Sequence, residues 1–194
     1  MRIFAFAAAF FLFAACGSEA DETAPGGPGG WRVDKSASRL SFTATQTGKP
    51  FTGEFGDFNA VIDFDPDNLA DAKISVIVKT GSARTGDRQR DDALPTGDWF
   101  AAAAFPEAAF VAGEVAAVGA GRYEARGDLT IRGESRPLIL PFTVSIEGNR
   151  AVADGETSLI RTDFGVGQGE FASDEWVGFE VLVAFHIEAT RSGE

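Results

Sequence analysis

The stretch Phe179-Glu180-Val181-Leu182-Val183-Ala184-Phe185-His186-Ile187-Glu188 decides the fold. Phe179, Val181, Val183, Phe185 and Ile187 fall on one side of a two-residue period, and Glu180, His186 and Glu188 fall on the other. That period places successive side chains on opposite faces of an extended chain, so the stretch predicts a strand with one apolar and one wet face. Upstream, Leu40-Ser-Phe42-Thr-Ala44 alternates in the same way. So do Phe58, Ala60, Ile62 and Phe64, which precede the turn Asp65-Pro66-Asp67-Asn68. Past the opening residues, no segment of a dozen residues keeps a helical period, so the chain is all-β.

Runs bounded by Gly, Pro, Asn or Asp predict eight strands, near 38–47, 54–64, 73–82, 107–115, 122–131, 136–147, 150–162 and 177–190. Eight antiparallel strands close into a barrel without free edges, and at that size the interior either fills with side chains or holds one small ligand. Thirteen of the eighteen phenylalanines lie beyond residue 15, and such bulky walls favour a hollow interior.

The 29 acids against 17 bases give a net charge of −12, which repels nucleic acid. The lone histidine, His186, sits on the wet face of its strand and argues against a histidine metal or acid–base site. The lone cysteine, Cys16, cannot close an internal disulfide. It follows Arg2, an apolar run from Ile3 to Phe13, and Ala14-Ala15. The run is too short to span a bilayer of about 30 Å and fits a secretory signal over 1–15. Phe13-Ala14-Ala15-Cys16 resembles a bacterial lipobox, so Cys16 is expected to be lipidated. An ordinary signal peptide cut near Ala15 would leave a free thiol instead. Residues 16–30 then form a Gly/Pro-rich tether spanning roughly 20 Å as a random coil. The expected location is the periplasm, anchored to the envelope membrane by lipid. No aspartate follows Cys16 to retain the protein in the inner membrane, which points to the outer one.

The charged stretch from Thr85 to Phe100, TGDRQRDDALPTGDWF, interrupts the strands. Paired acids such as Asp91 with Asp92, or Asp87 with Asp98, raise the prospect of catalysis or of a hard cation. Asp91 and Asp92 are adjacent and diverge, no nucleophile stands near, and the acids lack the alternate spacing and closing glutamate of a calcium loop. No metal and no enzymatic activity are expected. A short helical crossover near 86–104 that returns Leu94, Trp99, Phe100 and Phe105 to the barrel as a lid fits better.

Several motifs together resemble the YceI-like, polyisoprenoid-binding family of bacterial envelope proteins. They begin with the opening stretch Trp31 to Phe42, then Gly53-Glu-Phe55 with Ile62-Asp-Phe64-Asp65-Pro66. Next come Thr85-Gly86, Arg90-Asp91, Leu94, Trp99-Phe100, Phe105-Pro106 and Phe110, followed by Gly127 to Gly133 and Arg161 to Gly167. The resemblance covers about 31–190, and Ala93 stands where many relatives carry histidine. It implies a lipocalin-like, eight-stranded antiparallel barrel with an apolar channel for an isoprenoid chain and no catalysis. The ligand expected is an isoprenoid quinone or polyprenyl lipid, carried or stored, with no other cofactor. The expected channel wall is Phe42, Phe64, Phe110, Leu129, Phe142, Phe179, Val181 and Phe185 from the strands, with Trp99 and Phe100 from the crossover. The resemblance also implies an Arg90–Asp91 ion pair pinning the crossover, with Arg132 or Arg161 as competing partners. The segment Gly167 to Gly178 resembles a branch found beside membrane di-haem cytochromes. That leaves an alternative, a ligand-free module docking on such a cytochrome.

Overall fold

The computed structural model describes residues 30–192. Cys16 and most of the expected tether lie outside the described residues. Eleven strands form one antiparallel sheet: β1 (Gly30–Val33), β2 (Arg39–Gln46), β3 (Lys49–Phe55), β4 (Phe58–Asp63), β5 (Lys73–Lys79), β6 (Ala83–Arg84), β7 (Glu107–Gly119), β8 (Arg122–Ile131), β9 (Glu134–Glu147), β10 (Arg150–Ile160) and β11 (Glu180–Arg191). Three of the eight barrel strands are broken, so β1 with β2, β3 with β4, and β5 with β6 are each two pieces of one strand. The closed eight-stranded antiparallel barrel expected from the sequence is the architecture found, and the one α-helix among the described residues, α1 (Arg88–Ala93), lies in the crossover. The first strand starts at Gly30, earlier than the alternation around Phe42 indicates, because the turn at 34–38 interrupts the period.

The ring closes where β1 pairs on one side with β4, Trp31 opposite Ile62, and on the other with β11, Trp31 opposite Arg191. Further along, β11 changes partner and pairs with β2 from His186–Arg39 to Leu182–Thr43. β3 and then β6 follow β2, so the sheet forks at β11. Tight turns join most neighbours. Thr47-Gly48 and Arg132-Gly133 each have two positive φ angles, the geometry that matches strand twist in a two-residue hairpin.

The two ends of the barrel differ. At the end of the β1 hoop, Trp31, Phe64, Phe110, Ala125 and Phe142 form a buried cluster. Phe64 meets Tyr123 edge-on at 5.0 Å, and Tyr123 stacks on Phe142 at 5.6 Å. Trp31 is buried, and its indole Nε1 donates to the Phe64 carbonyl at 2.8 Å, which satisfies the ring's only polar group. The aromatic floor is thus solid, and the space lies above it.

On the outer face of the last two strands, His186 Nδ1 lies 2.7 Å from Asp154 Oδ1, across the β10–β11 ladder. The hydrogen bond to Asp154, with a contribution from Glu188, holds the imidazole pKa above its ordinary value. A raised folded pKa stabilises the fold below the unfolded value of about 6.5, and that contribution is lost as pH rises through the folded value. Because the chain has one histidine, a single ring signal in an NMR titration reports it. Asp154→Asn is expected to move the midpoint down toward about 6.5, and an unchanged midpoint would disprove the assignment.

Candidate ligand-binding cavity

Inward positions on the strands enclose a cavity of about 270 Å³. β11 contributes Val181, Val183, Phe185 and Ile187, and β2 contributes Leu40, Phe42 and Ala44, alternate residues as the pleat requires. Apart from Thr157 and Arg161, the lining side chains are aliphatic or aromatic. Gly155 on β10 faces inward too. A Cβ there would stand 2.6 Å from the Phe185 ring, so the glycine is what lets that ring lie flat against the wall.

Of the ten wall residues named from the sequence, Phe42, Phe64, Trp99, Phe100, Phe110, Leu129, Phe142, Val181 and Phe185 line the cavity, and Phe179 does not. The β11 ladder starts only at Glu180. At residue 179 the chain is still turning, so the ring is 36% exposed and lies 5.5 Å from the Arg161 guanidinium. Phe51, Phe55 and Phe58 also line the cavity and were not among the expected wall residues. The predicted run 54–64 begins after Phe51, and the strand break after Phe55 puts Phe55 and Phe58 out of a common period.

Two segments roof the cavity. The first is the crossover. Asp87 caps α1 by accepting from the Arg90 amide at 3.1 Å. Asp91 accepts from the Thr85 amide at 2.6 Å and from its hydroxyl at 2.8 Å. Arg90 donates to the same hydroxyl at 3.2 Å and to Gln46 Oε1 at 3.2 Å, with its guanidinium 4.6 Å from the centre of the Phe51 ring. The expected Arg90–Asp91 pair therefore does not form. Successive residues on a helical turn do not face each other, and the carboxylate nearest Arg90 is that of Asp87, at 3.9 Å. Thr85 joins the two instead. Leu94, Trp99 and Phe100 then point down into the cavity.

Hydrogen bonds from the Thr85 amide and hydroxyl hold the Asp91 carboxyl below the ordinary carboxylate range. A depressed pKa means the latch is fully formed above the unfolded value of about 3.9 and is lost as pH falls through the folded value. Acidification below about pH 4 is thus expected to loosen 85–105. Asp91→Ala should do so at neutral pH, seen as faster amide exchange in that segment alone. Unaltered exchange there would count against the latch.

The second roof segment, 161–179, is organised by Arg161, whose importance the sequence reading missed. This arginine is 4% exposed. Nε donates to the Gly178 carbonyl at 3.0 Å, Nη1 to Val166 at 2.9 Å and Gly167 at 3.4 Å, and Nη2 to Ser173 at 2.9 Å and Val177 at 2.7 Å. A Cβ at Gly167 would stand 2.0 Å from Nη1, and its φ of 84° also demands glycine. Burial pushes the guanidinium pKa down, against a pull from Asp174. Among the described residues no carboxylate lies within ion-pair distance of it, so carbonyl dipoles are its hydrogen-bond partners, with the Phe179 and Trp99 rings 5.5 and 5.8 Å away. Neither Arg161 nor Arg132 competes for Asp91. Arg132 donates to the carbonyls of Gly97, at 2.7 Å, and Trp99.

The segments are joined at the top: the Gly167 and Gln168 amides both donate to the Asp98 carbonyl, at 2.8 and 2.7 Å, and Trp99 meets Phe171 at 5.0 Å. The acids considered for catalysis are dispersed, with Asp87 on a cap, Asp91 on Thr85, and Asp92 3.7 Å from Arg88. Among the described residues no three His, Cys, Asp or Glu side chains cluster to hold a metal.

Comparison with known proteins agrees with this architecture. The chain is 32% identical over 170 residues to a UPF0312 protein of Pseudomonas fluorescens, covering 78% of this chain and 86% of that one. It is 30% identical over 159 residues to a UPF0312 protein of Vibrio parahaemolyticus, covering 78% and 81%. Among solved structures, Burkholderia cenocepacia BcnA superposes with a TM-score of 0.79 at 34% identity, over 81% of this chain and 99% of that one. A polyisoprenoid binding domain from Saccharophagus degradans shares the fold at a TM-score of 0.66 and 14% identity, over 84% and 98%. The model of the YceI-like domain matches residues 31–189, and the chain belongs to that family.

Proposed function

We propose that this protein is a lipid-anchored periplasmic binding protein that holds an isoprenoid quinone or polyprenyl lipid in its barrel, as carrier or store. The observation that carries the reading is the cavity, about 270 Å³ of space lined almost wholly by hydrocarbon and aromatic side chains. A prenyl chain exposes extensive apolar surface in water, and burial stabilises it by about 25 cal/mol per Å², so affinity needs few polar contacts. The volume lies just below the roughly 300–1,000 Å³ of ligand pockets, which suits a slim prenyl chain. The related polyisoprenoid binding domain of the same fold supports that ligand class. Binding without turnover is consistent with the dispersed acids of the crossover. Lipid anchoring at Cys16 completes the reading.

Mass spectrometry of lipids retained by the natively purified chain tests it. A stoichiometric prenyl species is expected, and an empty barrel that refuses added quinone would refute the proposal. Docking on a membrane cytochrome is favoured by one feature, the exposed Trp176 beside Asp174 and Glu175. Trp176→Ala should then abolish co-purification with such a cytochrome, and retained co-purification would dismiss that site.

A further inference from the structure

We infer that the ligand enters and leaves through the side of the barrel, along a seam between β6 and the returning leg of the crossover. The inference rests on the apolar-ligand reading above. It starts from the fork in the sheet. At the β1 end the hydrogen-bonded hoop is complete, whereas toward the roof the sheet stops at β6. β6 is two residues long, with Glu54 and Phe55 of β3 opposite Arg84 and Ala83. On its other side it has no strand, because β7 pairs with β5 and starts at Glu107.

The last backbone bond across this gap runs from the Thr80 amide to the Pro106 carbonyl at 3.0 Å, backed by the Thr80 hydroxyl on the Phe105 carbonyl at 2.7 Å. Beyond Thr80, among the described residues, no backbone hydrogen bond joins 81–84 to 100–106. Apolar contact closes the gap instead. Phe100 meets Phe55 edge-on at 5.8 Å, and a Cβ on Gly81 would stand 3.7 Å from that of Ala102. Phe55 and Phe100 both line the cavity, so parting them opens it directly.

The β9–β10 ladder is also incomplete toward the roof, where it ends at Gly155–Phe142, but the remaining routes are closed more firmly. Between β10 and β11 the ladder is unbroken from Arg150–Thr190 to Ile160–Glu180. The floor is the packed Trp31, Phe64, Tyr123 and Phe142 cluster. Between the two roof segments, passage would part the Asp98 carbonyl from two amides, and between the crossover and the β8–β9 turn it would part Arg132 from two carbonyls. A hydrocarbon chain replaces none of those bonds, and leaving such groups unpaired is costly. In the seam it replaces one apolar contact with another.

The test is a removable staple. Gly81→Cys with Ala102→Cys, in the full chain carrying Cys16→Ser, places two thiols at a Cβ separation suited to a disulfide, about 3.5–4.5 Å. Ubiquinone with a two-isoprene tail serves as probe, read by stopped-flow quenching of Trp99 and Trp31. The reduced variant is expected to match the unstapled chain. Oxidation is expected to slow both uptake and release by about tenfold or more with Kd unchanged, and dithiothreitol to restore them. Parent-like rates in the oxidised form would overturn the seam while leaving the carrier reading intact. Failure of the unstapled chain to take up the quinone would remove both.

Discussion

Arg161→Met is expected to destabilise the protein by about 3–5 kcal/mol, read as a lowered urea midpoint at unchanged slope. Methionine nearly fills the volume but donates nothing. The carbonyls of Val166, Gly167, Ser173, Val177 and Gly178 would lose their common donor, which is 4% exposed in the native fold. Hydrogen bonds to a charged group contribute about 1.5–3 kcal/mol each, and a loop that relaxes into water recovers part of the sum. Arg161→Lys should restore little, since an ammonium has three donors and cannot reproduce the planar fork. A loss below about 1 kcal/mol in the methionine variant would mean that the roof does not depend on this side chain.

Val183→Trp is expected to abolish ligand binding, with affinity falling about 100-fold or more, while the barrel remains folded. Val183 lies opposite Phe42 on β2 and Thr157 on β10 and points into the cavity. An indole there occupies space that the native fold leaves to ligand, so the enlargement meets a void and not a packed neighbour. Circular dichroism and the urea midpoint establish that the variant folds, and titration with a prenyl quinone measures the loss. Undiminished affinity in a folded variant would place the ligand elsewhere.

Much of this was legible before any coordinates. β11 alternates over its whole length because one face looks inward and the other meets water, and the same logic placed Phe42, Phe64, Phe110 and Phe142. It failed at Phe179, where the apolar period continues one residue past the point at which the ladder ends. It also failed across β3 and β4, because a break after Phe55 resets the alternation that a sequence window averages over. Arg161 was out of reach for a different reason. Its five acceptors are backbone carbonyls of an aperiodic loop, and a carbonyl carries no residue identity, so only Gly167, which has no room for a Cβ beside Nη1, hints at it in sequence. The crossover was readable as a lid, but its internal wiring was not, since Thr85 and not a charge partner engages both Arg90 and Asp91.

The hoop that completes the barrel joins Trp31 to Arg191, residues far apart in sequence. A polypeptide emerging from the ribosome in order would form the β2–β3, β4–β5 and β7–β8 pairs early, yet β1 and β2 would each keep one edge unpaired until β11 is released. Closure must then wait for β11, and pairing at such sequence separation is slow, on the order of milliseconds to seconds. During that interval the nascent chain stays open, with the inward faces of its strands accessible to whatever chaperone or conduit receives it.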